Sequence, residues 1–124
     1  MSRIIDTERV LCRLDDLADR PCRGFRVGDG PWPLSGFLVR KGNAVHAYLN
    51  RCPHARHPLN IRPDEFLTPD RSLIVCCSHG ALFELDTGYC VDGPCAGDSL
   101  TRIPVELLSG YVLLAEGVEP SDYE

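Results

Sequence analysis

The sequence predicts an all-β fold, an antiparallel β-sandwich or barrel of short strands. Three observations lead there. Short runs of strand-forming residues recur along the chain and are separated by turn signals. Eleven glycines and ten prolines are spread over the 124 residues rather than gathered in one place. No stretch has the spacing of a long amphipathic helix. RVLCRL, FRV and GFLVR are the first strand candidates, and LDDLADR, after the first of them, has room for one helical turn. KGN is a hairpin signal between GFLVR and AVHAYLN. SLIVC is a further strand, with PDEF before it as a second possible helical turn. ALFEL and YCV flank Asp86-Thr87-Gly88, and LTRIPVELL and YVLLAE flank Ser109-Gly110, so each pair reads as a hairpin. The acidic tail EGVEPSDYE is expected to fray at its end.

Size and composition fit one domain over residues 1–124 with a single core, at 44% hydrophobic residues. A net charge of -5 and the lack of a basic, aromatic-rich patch argue against general nucleic-acid binding. No apolar run approaches the length of a membrane span. MSRIIDTERV is charged and has no apolar signal core, so a cytoplasmic location is the default expectation. Seven cysteines is an odd count, which does not read as a secreted disulfide framework.

Cys52-Pro53-His54 and Cys76-Cys77-Ser78-His79 carry the chemistry. Each places one thiolate and one imidazole on a short loop, and the four together can hold a transition metal or a cluster. Zinc is one candidate, although its Cys2His2 sites usually run as a cysteine pair followed by a histidine pair. Here the types alternate as Cys, His, Cys, His, which suits a two-iron site with both thiolates on one iron and both imidazoles on the other. No nucleophile-and-base arrangement for hydrolysis stands out.

The residues around these motifs resemble a known family. NRCPHARHPLN is similar to the first cluster loop of Rieske ferredoxins. CCSHGALFELDTGYCVDGP is similar to their second loop, its hairpin and the proline loop, and RLDDLADRPCRGFRV to their first strands. The resemblance implies a base of sheets carrying a cluster-binding subdomain, with one [2Fe-2S] cluster per chain at its tip. It also implies that Cys52 and Cys76 bind the inner iron, and His54 and His79 the outer iron near the surface. Pro53 would stiffen the first loop, and Gly80 would let backbone approach the cluster. With two ferric ions, two sulfides and two thiolates the oxidised centre is neutral, whereas four thiolates would make it a dianion. Adding an electron to the neutral centre costs less, so imidazole ligation raises the potential.

Departures from the high-potential branch of the family are informative. Its members link the two ligand loops by a disulfide, and the matching positions here are His57 and Ser78. Its serine and tyrosine hydroxyls, which donate to cluster sulfur, are matched here by Ala81 and Phe83. Donors to sulfur stabilise the added electron, so their loss places the potential at the low end of the Rieske range, on the order of -150 mV.

Other residues have plainer readings. Cys77 is a packed or free thiol beside a ligand, and Cys12 and Cys22 are ordinary strand or loop cysteines. Cys90 and Cys95 lie in YCVDGPC and read as reduced thiols, with a regulatory disulfide as the alternative. His57 reads as a solvated loop residue, His46 as a strand-surface residue and Trp32 as cover for a core edge. IRPDEFLTPDRS, between the motifs, reads as a solvated insertion, with a partner-docking loop as the alternative.

The resemblance implies a one-electron carrier, not an enzyme, passing electrons from a flavoprotein reductase to a terminal oxygenase or similar acceptor. The alternative is a small Rieske subunit or redox sensor of a larger complex, as in nitrite-reductase-type assemblies. An autonomous oxygenase would need a second iron held by two histidines and a carboxylate, and no histidine follows His79. The partner is expected to dock over the tip formed by His54 and His79, among the loops holding His57, Phe83 and Pro94.

Overall fold

The computed structural model describes residues 9–28, 33–53, 58–60, 62, 64–77, 80–119 and 123. Nine strands are found among them: β1 (Val10–Arg13), β2 (Cys22–Val27), β3 (Leu34–Lys41), β4 (Ala44–Leu49), β5 (Leu73–Val75), β6 (Leu82–Glu84), β7 (Cys90–Asp92), β8 (Val105–Leu108) and β9 (Tyr111–Leu114). They form three antiparallel sheets, ordered β1-β9-β8, β2-β3-β4 and β5-β6-β7. The all-β expectation therefore holds. LDDLADR supplies a single 3-10 turn, Leu14–Leu17. The Asp16 carboxylate closes it by accepting from the Arg13 backbone N–H at 2.9 Å.

The sheet β2-β3-β4 is the partition of the molecule. Side chains alternate across a strand, so one strand can feed two cores. On β3, Phe37 and Val39 enter one core while Leu34 and Leu38 enter the other. On β4, Tyr48 goes with the first set, and Ala47 and Leu49 with the second. Cys22 and Phe25 divide β2 in the same way. This two-sided burial explains why GFLVR and AVHAYL carry apolar residues on both faces.

Below the partition, the sheet β1-β9-β8 closes an aliphatic base built on Leu17, Leu38, Ile103, Val112 and Leu114. The segment preceding β8 runs along the outer edge of β4: Leu49 donates to the Thr101 carbonyl at 2.8 Å, and Ile103 to that of Ala47 at 2.9 Å. Those bonds satisfy an edge that would otherwise be bare.

Above the partition stands the sheet β5-β6-β7, fastened by its β6–β7 turn. Tyr48 reaches through the core to donate its hydroxyl to the Leu85 carbonyl at 2.8 Å. Arg102 donates to the Asp86 carbonyl, and Lys41 pairs with the Asp86 carboxylate at 3.3 Å. The two exposed charges contribute little by themselves, but the buried tyrosine bond fixes the turn.

Two expectations for the segment between the motifs are corrected. No helical turn forms at PDEF among the described residues, because Asp64 sits in left-handed backbone at φ +61. Its geometry is held from both ends: the carboxylate accepts from the Gly24 N–H at 2.8 Å, and the carbonyl accepts from the Cys22 thiol at 3.1 Å. The insertion is also not simply solvated. Phe66 is fully buried and stacks on Phe37, with ring centroids 4.3 Å apart. Residues 66–68 then line β5, with Val75 donating to the Phe66 carbonyl and Thr68 to that of Leu73, both at 2.9 Å. The tip is polar: the Asp70 carboxylate accepts from the Thr68 hydroxyl at 2.6 Å and the Ser72 hydroxyl at 2.7 Å. Those bonds hold its pKa down at about 2.

Candidate metal centre

Each cysteine motif begins where a strand ends. Cys52 follows β4 and Cys76 follows β5 directly. Both are fully buried, at 1% and 0% exposure. His54, His57 and His79 lie outside the described residues, as does Trp32.

The first loop is latched at its two ends by asparagines. The Asn50 side-chain oxygen accepts from the Leu59 N–H at 2.8 Å, and its amide donates to the Asn60 side chain at 2.9 Å. The second loop turns back on itself: Gly80 donates to the Cys76 carbonyl, and Cys76 to the Ala81 carbonyl, both at 2.9 Å. One backbone bond joins the two loops, from the Cys77 N–H to the Leu59 carbonyl at 2.9 Å. A cluster site requires ligands on separate chain segments that are fixed relative to one another, and these hydrogen bonds fix the described ends of both loops.

A third segment closes over them. Gly93 has φ +101, and a Cβ there would stand 2.7 Å from the Ala81 Cα. Glycine therefore serves both the backbone conformation and a close approach to the loop that follows Cys76. Cys90 and Cys95 flank this turn, at 1% and 2% exposure, and their sulfurs lie 3.2 Å apart. Burial pushes the Cys95 thiol up to about 12, with Cys90 and then Cys52 adding to the effect. Cys95 thus lies beside the first motif's cysteine. The spacing of YCVDGPC gave no sign of that proximity; the Asn50/Asn60 latch was visible as an asparagine at each end of NRCPHARHPLN.

Cys12, Cys22, Cys77 and His46 have plainer places in the fold. Cys77 is exposed and free, and Cys12 and Cys22 are buried strand residues. His46 lies on β4, with its ring 3.3 Å from the Arg102 guanidinium. Phe83 does not belong to an exposed rim. It is fully buried on β6, whereas Pro94 is exposed.

The described residues fit a two-thiolate cluster. The two motif thiols are buried and unbridged, on loops stitched to one another. Gly80 turns in left-handed backbone at φ +71, and among the described residues no atom lies within 4 Å of where a Cβ would stand.

Comparison with known proteins agrees. The Rieske [2Fe-2S] domain matches over residues 7–108. No curated protein matches the chain. Among solved structures, the ferredoxin of carbazole 1,9a-dioxygenase from Nocardioides aromaticivorans IC177 is 26% identical, with a TM-score of 0.66 over 86% of this chain and 94% of that one. The Sphingomonas yanoikuyae B1 ferredoxin is 21% identical, with a TM-score of 0.65 over 86% of this chain and 96% of that one. The terminal oxygenase of carbazole 1,9a-dioxygenase from Novosphingobium sp. KA1 is 24% identical, with a TM-score of 0.67 over 92% of this chain and 31% of that one. Two buried cysteine-bearing loops on a three-sheet scaffold, with a family match over most of the chain, place this protein in the Rieske [2Fe-2S] domain family.

Proposed function

We propose that this chain is a single-domain, one-electron carrier whose [2Fe-2S] cluster is held by Cys52, His54, Cys76 and His79. In this reading it takes an electron from a flavoprotein reductase, delivers it to a terminal oxygenase or similar acceptor, and catalyses no reaction of its own. The observation that carries the reading is the junction of the two loops, where buried Cys52 and Cys76 stand on segments joined by the Cys77–Leu59 backbone bond. Similarity to a dioxygenase ferredoxin over nearly its whole length supports the carrier role. So does a solved complex of oxygenase and ferredoxin from carbazole 1,9a-dioxygenase, to which this chain is 26% identical. No helix among the described residues is long and apolar enough to cross a membrane.

The cluster would supply a centre that accepts and releases one electron, and Cys52 and Cys76 would hold it from buried positions. The acidic net charge of -5 favours a partner with a basic docking patch, and such redox interfaces are small and transient.

The purified protein should be red-brown, with about two irons and two acid-labile sulfides per chain. Cys52→Ser or Cys76→Ser should abolish assembly, while Cys77→Ser should retain it. Stoichiometric zinc in a colourless protein would overturn the reading.

A further inference from the structure

We infer that Cys90 and Cys95 form a reversible dithiol–disulfide pair, a second redox site on the turn that closes over the cluster-binding loops. The two sulfurs are already in contact at 3.2 Å, and Cys95 is oriented to donate to Cys90. A disulfide bond measures about 2.05 Å, so closure asks for an approach of roughly an ångström, within the reach of side-chain rotation and a small turn adjustment. The fold brings the sulfurs together without help from the bond. By linkage, the native state favours the disulfide as much as the disulfide favours the native state.

The surrounding backbone holds both partners, one on a strand and the other on a short turn, where the Cys95 carbonyl accepts from the Asp98 N–H at 2.9 Å. Cys90 begins β7, where its N–H donates to the Asp98 carbonyl at 2.8 Å and its carbonyl accepts from the Gly97 N–H at 3.3 Å. Cys95 lies on the intervening turn, between exposed Pro94 and exposed Ala96. Both thiols are buried at rest, so exchange passes through a local opening of that turn and is slow compared with reaction of the exposed Cys77.

The oxidant class is a small-molecule disulfide such as oxidised glutathione. One thiolate of the pair attacks a glutathione sulfur, forming a mixed disulfide and releasing one glutathione. The second protein sulfur then attacks the first, closing Cys90–Cys95 and releasing the other glutathione. The two thiol protons end on the two glutathiones. Two electrons pass from the pair to the glutathione disulfide, and the protein's disulfide replaces it. None of these steps requires a cluster, so the inference stands or falls independently of the electron-carrier reading.

The experiment equilibrates the purified holoprotein across glutathione buffers from reducing to oxidising. Samples are quenched in acid, blocked with a maleimide under denaturing conditions, and cleaved after Glu84 and Arg102. The resulting fragment, residues 85–102, contains Cys90 and Cys95 and no other cysteine. At the oxidising end it should lose two hydrogens and take up no maleimide, and it should regain two maleimide sites on return to reducing buffer. Two maleimides on the fragment throughout the series would overturn the inference. Glutathione retained on both cysteines, or a cross-link from this fragment to the one containing Cys52, would also overturn it. Iron measured on the same samples reports on the cluster separately.

Discussion

The two faces of the β2-β3-β4 sheet bury side chains of different chemistry. The lower core is aliphatic, made chiefly of leucine, valine and isoleucine with Cys12 as its only buried thiol among the described residues. The upper core holds Cys22, Cys52, Cys76, Cys90 and Cys95, together with Phe37, Tyr48, Phe66 and Phe83. Shape-tolerant aliphatic packing is sufficient where the task is to hold a sheet. Around the motif cysteines, rings and directional hydrogen bonds are added: Phe66 on Phe37, Tyr48 to Leu85, Leu59 to Asn50. Lower-core packing therefore sets stability, and upper-core packing sets stability and site geometry together.

Neighbouring residues on β3 provide the strongest way to break that division. Phe37→Ala and Leu38→Ala each remove a fully buried side chain, at about 3–5 and 2–5 kcal/mol respectively. Both should lower the denaturation midpoint. Phe37→Ala should also change the visible spectrum and the iron content, whereas Leu38→Ala should leave the spectrum of the folded fraction unaltered. Equal spectral effects would show that the two cores are not separate in function.

Gly93→Ala tests the contact between the closing turn and the loop that follows Cys76. Forcing a side chain onto φ +101 costs about 1–3 kcal/mol, before the cost of moving the Ala81 backbone. The expected outcome is a less stable cluster, read as faster bleaching in air, with far-ultraviolet dichroism unchanged.

Tyr48→Phe should cost on the order of 1 kcal/mol by denaturant unfolding, leaving the Leu85 carbonyl without its donor. The same residue gives a pH dependence. Burial raises its pKa from 10.0 to about 12, while Arg102 opposes the shift. The neutral phenol is thus favoured by the folded state, and its contribution is fully present below pH 10.0 and is lost as pH rises toward about 12. Alkaline unfolding should shift less steeply in Tyr48→Phe than in the parent protein.

The smallest structural effect is expected at exposed Pro94. Pro94→Glu should change stability by no more than about 0.5 kcal/mol. Midpoint potential should stay nearly constant, while electron transfer to the cognate acceptor slows. Unchanged transfer would move the docking surface away from the tip.

Strand positions were legible because GFLVR, AVHAYL and YVLLAE are apolar runs bounded by Gly-containing turns, and local pattern governs such elements. The motif cysteines stood out by local spacing alone, and the fold buries both. What escaped was decided by contacts distant in sequence. Phe66 looked like part of a polar insertion, and only the face of Phe37 reveals that it belongs to the core. Asp64 reads as a charged loop residue until Gly24 and Cys22, some forty positions earlier, supply its partners. Cys95 likewise acquires its meaning from Cys90 and Cys52, brought together by the turn at Gly93.

The pairing of β1 with β9 has a consequence for the order of assembly. Val10 faces Leu113 and Arg13 faces Tyr111, so the base closes only when the two ends of the domain meet. Every described buried residue of the thiol-bearing core lies between Cys22 and Leu100, whereas the base also needs Cys12, Val112 and Leu114. A chain emerging from the ribosome therefore has all of those upper-core residues in hand before its last strand is made. The long-range β1–β9 closure, with its loop entropy, comes as the final step.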